Sequence, residues 1–139
     1  MIVKASGDQE QIAIAYLSHR LEVTRDALTC GPYSIFIACK GQDAKGAVLY
    51  KNYASGDIEM VCAGEPGWVT PGVLKFVLSY PFEQLDCNRI TCLAHRKNRA
   101  MRNYLERMGF KLEGVKRKAL NGVDLMIYGL LRDENRWQA

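Results

Sequence analysis

Two hydrophobic rhythms run along the chain. In DQEQIAIAYLSHRLEV, Ile14, Leu17 and Leu21 recur at helical spacing and Asp8 stands where an N-cap belongs, so a helix is predicted after a short apolar start at residues 2–4. TCGPYS, with Gly31 and Pro32, reads as a loop. The pattern then becomes that of strands. SIFIACK (34–40), AVLYKNY (47–53) and DIEMVCAG (57–64) are short and rich in β-branched and aromatic residues, with GQDAKG and SGD as turns between them. In the third, Asp57, Glu59 and Val61 share one face and Ile58, Met60 and Cys62 the other.

A second helix is predicted from Thr70, a good N-cap, with Pro71 at its first position. Val73, Leu74, Phe76, Val77, Leu78 and Tyr80 make it apolar almost all round, and Pro81 must kink or end it. NRITCLA (88–94) reads as a strand. In the following KNRAMRNYLERMGF, Met101, Tyr104, Leu105 and Met108 form one apolar helix face, and Gly109 can end the helix in a left-handed conformation. Residues 110–120 and 123–131 flank an Asn-Gly turn as antiparallel strands. The predicted order is β-α-β-β-β-α-β-α-β-β. That is one α+β domain over 1–139, with a mixed, mostly antiparallel sheet interrupted by a central β-α-β unit.

Composition narrows the class. With 139 residues, 48% hydrophobic and 24% charged, the chain can bury a real core and is not a disordered segment. It has no secretory-type apolar leader and no apolar run near the roughly 18 residues of a membrane helix, so no membrane partner is expected. The five cysteines lack metal-ligand spacing, which points away from a metal site and toward a reducing, cytoplasmic setting. The net charge of +4 is mild, no RNA or DNA motif is present, and no nucleic-acid partner is expected. Arg96, Lys97 and Arg99 oppose the dipole of the helix they precede, which hints at a nearby anion.

The stretch from Asn98 to Gly109-Phe110 resembles the last helix of the GNAT acetyl-CoA-dependent N-acetyltransferases, whose pattern is N-x-x-A-x-x-x-Y-x-x-x-G-F. GFKLEGVKRKALNGVDLMIYGLLRDE resembles the final hairpin of the branch that includes ribosomal-protein N-terminal acetyltransferases. AGEPGWVTPGVLKFVLSYPFEQLDCNRIT is similar to small phage and prophage members. The resemblance implies the GNAT fold, with flanking helices and a sheet splayed at its central parallel pair. It also implies acetyl-CoA as co-substrate. Its pantetheine arm would lie between residues 58–63 and 90–94, along Val61, Cys62 and Ala63. Its pyrophosphate would sit at the helix start formed by Trp68, Val69, Thr70, Pro71 and Gly72, on the backbone N–H groups there. Asn98 would lie beside the arm, and Arg99 or Arg102 would reach the adenosine phosphates. Two departures stand out. GWVTPG keeps only the last glycine of the family's phosphate loop, and Pro71 removes a donor. The family's acidic tyrosine aligns with Leu105, not with Tyr104.

Acetyl transfer needs a neutral amine and a polarised carbonyl. Glu59 is the first candidate base, against an ordinary strand glutamate; His95 is the second, against a loop histidine. The amide near Val61 or Cys62 is the family's oxyanion donor, and Tyr104 is either an acid or a core tyrosine. Cys62 has no obvious partner for a covalent route. Trp68 covers cofactor or plugs its loop, and Tyr33 and Tyr128 are expected on the acceptor side. The implied function is direct acetyl transfer to a primary amine: a protein N-terminus, a lysine or a small amine. The alternative is an inactive module that binds acyl-CoA or a protein partner. Exposed edge strands in this fold suggest a homodimer.

Overall fold

A computed structural model describes residues 1–137. Its strands are β1 (Ile2–Lys4), β2 (Tyr33–Lys40), β3 (Asp43–Ala54), β4 (Asp57–Gly64), β5 (Arg89–His95), β6 (Lys111–Leu120) and β7 (Val123–Leu131). Its α-helices are α1 (Asp8–Leu21), α2 (Arg25–Thr29), α3 (Pro71–Ser79) and α4 (Arg99–Met108). The predicted order holds, with α2 inserted after α1. At five residues α2 is too short for a hydrophobic period, and it is set by its cap: Thr24 Oγ1 accepts from the Ala27 amide at 3.1 Å. Asp8 does not cap α1. It is the first helical residue, and Gly7, at φ +57°, takes the cap position.

As Pro81 requires, the α-helical part of the second predicted helix ends just before it, at Ser79, but the chain does not turn away at once. The chain widens into one π-helical turn, Tyr80–Gln84, closed by Leu85 N donating to Tyr80 O at 3.1 Å. The wider register tolerates the missing proline donor and keeps Pro81 and Phe82 buried.

The seven strands form one sheet in the order β1-β2-β3-β4-β5-β7-β6. Every pairing is antiparallel except β4 with β5, and that pair is brief. Asp57–Met60 register with Arg89–Cys92, and pairing stops there. Beyond that point β4 stays paired to β3 through Gly64, and β5 to β7 through His95. The two strands therefore part after Met60 and Cys92. The gap is shorter than the 58–63 and 90–94 spans predicted for it, because Ile58 and Ile90 are directly paired.

Helices α3 and α4 pack on one face of the sheet, over Phe36, Tyr50, Met60, Cys92 and Tyr128. Helices α1 and α2 cover Ile35, Ile37, Leu49 and Ala63 on the other. That second cover is incomplete. In β5 Ile90, Cys92 and Ala94 are buried, whereas Arg89, Thr91, Leu93 and His95 are half-exposed. The α1 side of the sheet is thus an open groove from β4 toward β6.

Candidate active site

The parting of β4 and β5 makes the site. Past Met60, the edge of β4 that faces β5 has no strand partner, so alternate backbone polar groups are left for a ligand or water. The starts of α3 and α4 flank this gap. A cavity of about 250 Å³ lies between the β4–α3 loop and α4, walled by Ala63, Gly64, Trp68, Asn98, Met101 and Tyr104, with Arg20 and Leu21 from the end of α1 at its rim. The gap therefore brings together Ala63, Trp68, Asn98 and Tyr104. Arg20 and Leu21 carry no local sequence signal of this role, because only the tertiary fold brings α1 to this place.

The loop from β4 to α3 is held on three sides. The Glu65 amide donates to Lys45 O at 2.8 Å, and its carboxylate pairs with Lys45 at 3.2 Å and Arg20 at 3.8 Å. The Gly67 amide donates to the Tyr104 hydroxyl at 3.3 Å. The Trp68 indole lies on Gly46 and Gly64, which face each other across β3 and β4. A Cβ on Gly46 would come within 2.3 Å of the ring and one on Gly64 within 2.2 Å, so the two glycines form its seat. Trp68 plugs the loop, and it also walls the cavity.

At the start of α3, Thr70 Oγ1 accepts from the Val73 amide at 3.2 Å. The Trp68 amide is committed to Glu65 O at 3.1 Å, and Pro71 has no N–H. The amides of Val69, Thr70 and Gly72 carry no hydrogen bond among the described residues and remain available at the positive end of the helix.

Asn98 caps α4, its Oδ1 accepting from the Met101 amide at 3.1 Å. Arg102 turns inward. Its Nε donates to the Tyr128 hydroxyl at 3.0 Å and its Nη1 to Arg96 O at 3.1 Å. Tyr128 is fully buried on the α4 side. It therefore does not face the acceptor side as expected, because an even position of β7 points beneath α4. Tyr33 stays half-exposed at the start of β2, beside α1, where a hydrogen bond with Glu10 raises its pKa. Leu105 is fully buried, so the position that aligns with the family's acid is core, and Tyr104, one step round the helix, walls the cavity.

Glu59 sits in the last stretch of paired β4, half-exposed in the open groove, and its Oε1 accepts from Asn52 Nδ2 at 3.2 Å. Asn52 reaches it from the irregular end of the β3–β4 pairing and takes φ +56° there. His95 lies on the same face. Four residues separate it along β5 from Thr91, the register partner of Glu59, which is about 13 Å. The two candidate bases are thus not brought together. His95 Nδ1 accepts from the Lys97 amide at 3.1 Å, which puts the proton of the neutral ring on Nε2.

Cys62 is buried on the opposite face, its Sγ 3.8 Å from Met101 Sδ. Its contact with Cys92, and then burial, push the Cys92 thiol well up. Neither thiol faces His95, and among the described residues no cluster of metal-ligating side chains exists.

A polar network closes one end of the groove. Thr91 Oγ1 donates to Asp57 at 2.8 Å, and Arg89 bonds Thr91 at 3.3 Å and Glu113 at 2.5 and 3.2 Å. Gly129 of β7 makes room for the Arg89–Glu113 pair, since a Cβ there would meet both within 2.4 Å.

A sheet splayed at its one parallel pair, with a helix start on either side of the gap, is the architecture of the GNAT acyltransferase fold. Solved structures agree over nearly the whole chain. A mutant form of spermidine N-acetyltransferase SpeG from Vibrio cholerae matches with a TM-score of 0.76 at 15% identity, over 96% of this chain and 96% of that one. An acetyltransferase of the GNAT family from Streptococcus pneumoniae matches at 0.74 and 12% identity, over 94% and 98%. A dodecameric spermidine N-acetyltransferase from Vibrio cholerae matches at 0.73 and 17%, over 96% and 94%. The chain has the GNAT fold. No protein-family model and no curated relative matches it.

Proposed function

We propose that the protein is an acetyl-CoA-dependent N-acetyltransferase that passes an acetyl group directly to a primary amine. The observation that carries this reading is the parting of β4 from β5 beyond Met60 and Cys92, beside a cavity walled by Ala63, Trp68, Asn98 and Tyr104. The residues present suit an acyl-CoA. Backbone along Val61, Cys62 and Ala63 would hold the pantetheine arm. The amides of Val69, Thr70 and Gly72 would hold the pyrophosphate, with Trp68 and Pro71 shaping the loop. Asn98 borders the arm, and exposed Arg99 is the cation nearest the outer phosphates. Arg102 supports that end of α4 through Tyr128 and the Arg96 carbonyl.

Acetyl-CoA supplies the activated thioester; the chain supplies positioning and proton handling. Glu59, oriented by Asn52, takes a proton from the incoming ammonium, directly or through a water, so that the amine presents a lone pair. The amide of Val61 or Cys62 polarises the carbonyl oxygen. The Tyr104 hydroxyl accepts from Gly67 and so keeps its own proton free to donate to the departing thiolate. His95, with its proton on Nε2, lines the far part of the groove and binds acceptor rather than deprotonating it. The acceptor enters on the α1 side. The Vibrio cholerae neighbours are named for spermidine, an amine. The exposed edge strand β6, with Leu112 and Val115 outward, is the surface through which two copies would pair.

Calorimetric titration with acetyl-CoA, followed by turnover on an amine panel, tests this reading. Binding with turnover that falls in Glu59→Gln supports it. Absence of binding sinks it, and binding without turnover on any amine leaves an acyl-CoA-binding module instead.

A further inference from the structure

The far end of the acceptor groove is basic, and it is assembled rather than scattered. His95, Leu125 and Lys116 form one register row across β5, β7 and β6, on the same face as Glu59 and Thr91. Asp124 joins two basic segments at that row. Its Oδ1 accepts from the Lys118 amide at 2.9 Å, its Oδ2 pairs with Arg96 at 3.5 Å, and its carbonyl accepts from the Arg96 amide at 3.1 Å. Lys97, Lys116, Arg117 and Lys118 are exposed and carry no ion pair among the described residues. The chain's whole net charge is +4, so four unpaired cations at one rim are a strong local bias. The opposite end carries Glu59 and the Asp57–Arg89–Glu113 network, whose formal charge is negative.

We propose that the β6–β7 hairpin tip and the β5–α4 loop dock an acidic protein segment that delivers its amine into the groove; this rests on the acetyltransferase reading. The charges fit such a chain in one direction. An ammonium belongs at the Glu59 end, and acidic side chains about four residues further on belong at the basic rim, since the two rows lie about 13 Å apart and an extended chain rises about 3.3 Å per residue. A polyamine would bring cations to both ends and meet repulsion at Lys116–Lys118. Nucleic acid is disfavoured because residues 95–99 and 114–124 contain no Phe, Tyr or Trp on which a base could stack.

The test uses the full chain and a dye-labelled peptide with a free α-amine, neutral at its first three residues and rich in Asp and Glu thereafter. A neutral peptide of equal length and a single-stranded RNA serve as comparators, read by fluorescence anisotropy. The acidic peptide is expected to bind about tenfold or more tighter than the neutral one at low salt, with the margin shrinking as salt rises. The charge-reversed variant Lys116→Glu/Arg117→Glu/Lys118→Glu is expected to abolish that preference, and the Gln triple to reduce it, with thermal melts unchanged. In turnover the same variants raise KM for the acidic peptide and leave kcat in place. Equal binding of both peptides overturns the proposal, as does RNA binding tighter than the acidic peptide, or spermidine turning over more efficiently than it. The anisotropy arm needs no acetyl-CoA, so failure of acetyl-CoA binding refutes the enzyme reading separately.

Discussion

The Tyr104 hydroxyl of α4 accepts from the Gly67 amide in the loop before α3, at 3.3 Å. One bond thus ties the middle of α4 to the loop that leads into α3. Tyr104→Phe separates its two roles. Loss of the tie raises KM for acetyl-CoA; loss of the acid lowers kcat by about 10- to 100-fold, less than a full general acid because water can substitute. Steady-state kinetics with both substrates varied reads the split.

Glu59→Gln keeps the side chain's size and its contact with Asn52 while removing the proton acceptor. A loss of about 100-fold or more in kcat/KM is expected, with acetyl-CoA affinity unchanged by calorimetry. Asn52→Gly, which frees the carboxylate to rotate and suits the left-handed backbone, is expected to cost less. Equal losses in the two variants would assign Glu59 a structural role.

The seat of Trp68 predicts an energetic coupling. Gly64→Ala drives a methyl group into the indole, and overpacking of this kind costs about 1–3 kcal/mol. Adding Trp68→Ala removes the collision, so the double variant is expected to melt higher than the sum of the single losses allows. Strict additivity in chemical denaturation would show that the ring moves aside freely.

Glu134 gives a pH signature. Its carboxylate meets Lys111 Nζ at 2.5 Å and the Leu131 amide at 3.0 Å, and these partners, Lys111 foremost, hold its pKa below the ordinary 4.5. A depressed carboxylate stabilises the fold fully above its unfolded pKa, and this contribution disappears as pH falls through the lower folded value. The wild type and Glu134→Gln are therefore expected to differ in melting temperature near neutrality and to converge as pH falls through the lowered folded pKa of Glu134. The pair is open to solvent on the exposed Lys111 side, so the gap is small. A gap that widens in acid would contradict the pairing.

Strands and caps are legible in the sequence where the code is local. Thr70-Pro71 opens α3, Gly109 ends α4, and the alternation of β4 is enough to assign Glu59 and Met60 to opposite faces. What escapes depends on distance along the chain. Nothing local marks the point where β4 leaves β5, since Met60 and Cys92 are brought together only by the fold. Arg20 reaches the rim only because α1 folds back. Gly46 reads as a turn glycine and Gly64 as the end of a strand, yet the indole of Trp68 lies on both. Arg102 has the pattern of a surface cation, and its inward course needs the buried hydroxyl of Tyr128, twenty-six residues away.

That inward course has a thermodynamic corollary. Arg102 clamps α4 to β7, and Asp124 clamps the β7 turn to the residues just before α4, so the helix beside the acyl donor and the hairpin beside the acceptor are one lever. A ligand that shifts either arm shifts both, and by reciprocity the help each gives the other is equal. Cutting the clamp at Arg102→Ala should then turn synergistic binding of the two ligands into independent binding.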